Sequence, residues 1–100
     1  MSDVGSHHQN ERATQIIAHE AANFILREAS RNSLITVVRA ESTSHGDQVN
    51  VFVSIFPQDQ IPSALSFLER QRESFSQHLK KHTHLRLPRI NFLLDNNPPS

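Results

Sequence analysis

The chain has 100 residues, ten basic and ten acidic side chains and no cysteine. That length suits one domain with a single modest core, and the missing cysteines exclude disulfides and thiolate metal sites. Residues 1–9 carry no hydrophobic run that would read as a signal peptide, and no segment nears the ~20 apolar residues needed to cross a bilayer. A soluble, cytoplasmic protein is the expectation.

Residues 1–9 and 96–100 are polar and read as flexible ends. Domain boundaries are expected at 11–95. Asn10 is a candidate N-cap for a first helix over about 11–29, with Ala13, Ile17, Ala21, Phe24 and Ile25 at helical spacing. Ser30-Arg31-Asn32-Ser33 suits a loop. Two strands rich in β-branched residues follow, Leu34 to about Ser42 and Val49 to Phe56, joined by a hairpin loop containing Gly46. In the second strand Val49, Val51, Val53 and Ile55 share the face that should be buried, which leaves Phe52 and Phe56 on the other.

Pro57 ends that strand, and Pro62 suits the first turn of a second helix running to about Lys81. Its stripe of Leu65, Leu68, Phe75 and Leu79 is broken by Arg72, which implies a snorkelling side chain, a bend or a gap in the core. The last strand spans Pro88 to Leu94, with Pro88, Ile90, Phe92 and Leu94 on one face and Arg89, Asn91 and Leu93 on the other. Pro88 marks an edge strand or a strand start. The order is α-β-β-α-β, an α+β domain without repeat or linker.

Charge is unevenly distributed although the sum is zero. Residues 70–89 hold six basic residues against Glu73, a local balance of +5. Arg70, Arg72, Lys80, Lys81, Arg86 and Arg89 are therefore the candidate phosphate-binding residues; the competing reading is an ordinary solvated helix face. Arg86 has a second alternative, an ion pair with Asp95 or Glu20 that fixes the last strand. Phe52 can stack a base or pair with a residue on a neighbouring strand. His78 and His82 have an i, i+4 spacing that can chelate a metal. Without an accompanying acidic motif they read as incidental residues of a surface helix. Two glycines cannot build a nucleotide-binding loop, and no nucleophile or acid-base pair stands out. No cofactor, metal or small-molecule substrate is expected.

The chain resembles the ribosome-binding factor A family over about residues 11–95. The resemblance rests on Ile17 to Ile25, on Leu34 to Thr43, on Val49-Asn50-Val51-Phe52-Val53-Ser54-Ile55, on Ala64-Leu65, and on the ending Leu85-Arg86-x-Pro88 through Phe92 and Asp95. It implies a single KH-like domain of type II, a three-stranded sheet with both helices on one face. It also implies a non-catalytic, RNA-binding role in maturation of the small (30S) ribosomal subunit and processing of the 16S rRNA precursor, often under cold stress. The partners would be that subunit and its rRNA, bound by a monomer. In that family the second helix kinks at an alanine-glycine step, which falls here near Arg72-Glu73. The family's aspartate-proline-arginine approach to the first strand is replaced by Ser30-Arg31-Asn32-Ser33. The alternative function is an oligomeric protein-interaction module that uses Phe52, Phe56 and Leu93 on an open sheet face.

Overall fold

The structure, a computed structural model, describes residues 2–43, 47–83 and 88–95, with side chains from residue 12 onward. The elements are α1 (Ser2–Glu28), β1 (Leu34–Ser42), β2 (Gln48–Phe56), a short 3-10 turn (Gln58–Gln60), α2 (Ile61–His82) and β3 (Arg89–Leu94). The order is the expected one. The start of α1 is not: the helix begins at Ser2, so Asn10 lies inside it and does not cap it.

Ile17, Ala21, Phe24 and Ile25 fall on one stripe of α1 and are all buried, because positions three, four, seven and eight apart share a helix face. The Ala29 amide closes the last turn onto the Ile25 carbonyl at 2.9 Å. In the loop that follows, the Asn32 amide donates to Ser30 Oγ at 3.3 Å. Gln60 precedes α2 and Pro62 sits in its first turn, where a missing amide hydrogen costs nothing. Ala64, Leu68, Phe75 and Leu79 form the buried stripe of α2, and the helix itself is continuous through Arg72 and Glu73.

The sheet order is β1-β2-β3, with β1 antiparallel and β3 parallel to β2. Val49, Val51, Val53 and Ile55 alternate into the core together with Ile90 and Phe92. β3 begins one residue after Pro88 and is an edge strand, as that proline implies. Both helices pack on the valine face, α1 mainly against β1 and α2 mainly against β3. Phe75 sits at the centre, 5.4 Å from Phe24 and 5.8 Å from Phe92 between ring centroids. These tilted arrangements are favoured by the ring quadrupoles.

One irregularity decides what the other face looks like. Strict alternation from Ile35 and Val37 would send Arg39 into the core, since side chains repeat every second residue. The β1-β2 register shifts between Val37 and Arg39. The extra residue of this bulge moves everything after it to the other side. Ala40 and Ser42 therefore pair with Val51 and Val49 on the core side, and Arg39 pairs with Phe52 on the helix-free side. A charged group is kept out of the core by one inserted residue.

Among the described residues, no helix is long and apolar enough to cross a membrane.

Candidate nucleic-acid interface

The expected phosphate-binding residues divide into groups. Arg70, Arg72 and Arg89 line one open cleft of about 320 Å³ between α2 and β3, together with Glu69, Glu73, Ser76 and Ile90. Lys80 follows Ser76 by one helical turn, so it extends the same side of α2. Lys81 lies a further 100° around the helix, at nearly the same angle as Arg70. Arg70, Lys80, Lys81 and Arg89 are exposed. Arg86 and His84 lie outside the described residues.

The cleft is less basic than the sequence window implies. Glu69 falls just before that window, and in space it stands beside Arg72 at 3.0 Å. Three arginines and two glutamates give the cleft a local balance of +1. Arg72 explains the interrupted apolar stripe: it reaches past β3 and donates from Nη1 to Asn91 Oδ1 at 2.9 Å. Asn91 belongs to the helix-free side of β3, opposite Ile90 and Phe92. The aliphatic stem of Arg72 covers the helix-strand junction while its charge emerges at the sheet edge.

On the helix-free face, Arg39 is held by three groups. Nε donates to Glu41 Oε2 at 2.6 Å, Nη1 donates to Asp95 Oδ1 at 3.0 Å, and the guanidinium lies 4.2 Å above the Phe52 ring centroid. Glu41 first and Asp95 second raise the Arg39 pKa above its ordinary value, so the cation persists throughout the physiological range. Phe52 thus has the cross-strand partner expected of it, although the partner is a cation. Asp95 thus holds Arg39 at the end of the sheet, while the expected Arg86 ion pair lies outside the described residues.

Glu20 is bound by His78, which is not an incidental surface residue. His78 Nε2 is 2.9 Å from Glu20 Oε1, and Arg27 Nη2 approaches His78 Nδ1 at 3.3 Å. The ring also lies against Phe75 and Phe24. Arginine has no acceptor, so in the neutral imidazole Nδ1 accepts and Nε2 carries the hydrogen that goes to Glu20. The histidine ties α1 to α2. His82 packs on it at 4.3 Å between centroids, yet the described residues contain no group of three or more ligands suited to a metal. Only the i, i+4 spacing of these histidines was visible in the sequence; their partners on α1 were not.

No family model matches the sequence, and no curated protein matches it either. Solved structures do. The arrangement is a KH-like fold with α-β-β-α-β order, helices on one face of a three-stranded mixed sheet. More specifically, it is the fold of ribosome-binding factor A. The crystal structure of ribosome-binding factor A from Thermus thermophilus superimposes with a TM-score of 0.77 at 23% identity, covering 90% of this chain and 99% of that one. A Thermus thermophilus ribosome-binding factor A model fitted into a cryo-EM map of its complex with the 30S subunit gives 0.72 at 24% identity, covering 86% and 94%. The solution NMR structure of a Thermotoga maritima protein, provisionally assigned as a ribosome-binding factor A, gives 0.61 at 25% identity, covering 90% and 88%.

Proposed function

We propose that the protein binds the small ribosomal subunit through its rRNA and assists maturation of that subunit, including processing of the 16S rRNA precursor, without catalysing a reaction itself. The observation that carries this reading is the fold match, which takes in almost the whole Thermus protein and nine-tenths of this chain. A similar protein is described in complex with the 30S subunit. The cluster of Arg70, Arg72 and Arg89, extended by Lys80, supplies phosphate contacts of the kind that makes such binding salt-dependent. Lys81 and Arg86 add to the same electrostatic footprint. The protein acts as a cytoplasmic monomer, and its contribution is greatest in the cold. Loss of the gene should cause small-subunit rRNA precursors with an extended 5′ end to accumulate, most strongly at low temperature. Wild-type levels of mature 16S rRNA in a deletion strain at all temperatures would overturn the maturation role.

A second reading, a protein-interaction module, is favoured by one observation. Leu26, Leu34 and Phe56 are 83%, 66% and 71% exposed and border a single open groove of about 570 Å³ at one end of the molecule. Exposed apolar clusters of this kind mark contact surfaces. Light scattering over a range of concentrations checks self-association, and a monomer throughout removes that version of it.

A further inference from the structure

The helix-free face of the sheet is not uniformly apolar. Its register builds adjacent rows across the strands: Arg39, Phe52 and Leu93 in one, Glu41, Asn50 and Asn91 in the next, with Gln48 beside Arg89 beyond. The first row sets a guanidinium 4.2 Å above an aromatic ring centroid. The second puts two carboxamides side by side. We propose that this face binds unpaired nucleotides of RNA, stacking a base on the Arg39–Phe52 pair and reading its edge with Asn50 and Asn91, while Arg72 and Arg89 neutralise the adjoining phosphates.

Three features carry the inference. Bases that are free of a duplex stack on aromatic rings and on arginine planes. Arg39 is fixed for this by Glu41 and Asp95, with 35% of its side chain still exposed. Because two carboxylates offset its charge, this pair suits the neutral base and not the phosphate.

The carboxamides supply the polar half. Asn50 Oδ1 accepts from Gln48 Nε2 at 3.0 Å, and Asn91 Oδ1 accepts from Arg72 Nη1 at 2.9 Å. These bonds orient each carboxamide, and its NH2 group is a donor for carbonyl and ring-nitrogen acceptors of a base. The side-chain bonds of the described residues give neither NH2 group a further partner.

Charge completes the division of labour. Arg89 is exposed on β3, and Arg72, which also pairs with Glu69 at 3.0 Å, emerges at the same edge beside Asn91. That edge is one strand spacing, about 5 Å, from β2 and its Phe52. A backbone running along β3 would therefore place its bases over β2. A protein partner fits this face less well, because interface centres are depleted in charge and the Arg39 row lies in the middle, with Leu34 and Phe56 at one end and Gln48 and Arg89 at the other.

This inference rests on the RNA-binding reading above, and its test separates the two. The full chain, labelled with nitrogen-15, is titrated with a single-stranded RNA of about eight nucleotides, within the span one small domain covers, and with a duplex RNA. The NH2 signals of Asn50 and Asn91 should shift with the single strand and much less with the duplex. Phe52→Leu keeps an apolar side chain beneath Arg39 and should weaken single-strand binding roughly tenfold, the scale of losing one stacked base. Asn50→Ala, which removes no core contact, should weaken it severalfold, with the spectrum otherwise that of the folded wild type. Shifts confined to the outer face of α2, or both variants binding like wild type, would overturn the inference. So would signals on this face that move with protein concentration in the absence of RNA, which would show a second copy as the occupant. If the wild type ignores the single strand but still sediments with small subunits, the open-face site fails and the ribosomal reading stands.

Discussion

The Arg39 guanidinium lies 4.2 Å above the ring of Phe52, its register partner on the neighbouring strand. The pairing exists because the bulge after Val37 turns Arg39 away from the core. It also ties β1 to Asp95 just beyond β3, so one side chain spans the sheet. Arg39→Met should lower the thermal midpoint, and so should Phe52→Leu. The two losses should sum to more than that of the double variant, because the second change removes a contact already lost. Thermal denaturation of the four proteins measures the coupling; strictly additive effects would show that the contact does not stabilise the sheet.

Phe75 is fully buried and touches both Phe24 and Phe92. Phe75→Ala should cost about 3–5 kcal/mol, a large part of the roughly 5–15 kcal/mol typical of a domain. Urea denaturation provides the check, and a loss below about 1 kcal/mol would contradict the packing described.

His78 bridges the two helices, and when its ring is neutral it accepts from Arg27 at Nδ1 and donates to Glu20 from Nε2. Long-range nitrogen-15 spectra of the neutral ring should show the Nε2–H tautomer. His78→Ala should destabilise by about 1–2 kcal/mol, because it leaves a partly buried carboxylate without its partner. The opposite tautomer would refute the assigned geometry.

Single substitutions of the basic residues separate phosphate contacts from internal ones. Arg89→Ala and Lys81→Ala should leave the fold unchanged, as both side chains are exposed. Each should reduce the slope of log affinity against log salt for the small subunit by about one if it contacts a phosphate. Arg72→Ala should do more, since it also removes the bond to Asn91.

Much of this architecture is legible in the residues. The α-β-β-α-β order, the buried valine face of β2, the helix start at Pro62 and the edge position marked by Pro88 follow from local periodicity and from what proline cannot donate. What escaped has a common cause: it depends on residues distant in sequence. The β1 bulge is one inserted residue in a β-branched run, and only the register with β2 reveals it. Arg72 interrupts an apolar stripe, which signals a conflict without naming Asn91 as its resolution. The i, i+4 spacing of His78 and His82 says nothing of Glu20 and Arg27, more than fifty residues away from His78. The extension of α1 to Ser2 goes against a good local cap signal at Asn10.

Co-sedimentation of the purified protein with small and large ribosomal subunits, at ~50 and ~200 mM salt, tests the central claim most directly. The account predicts association with the small subunit, markedly weakened at the higher salt, and none with the large. Absence of binding to mature and immature small subunits at low salt would contradict it.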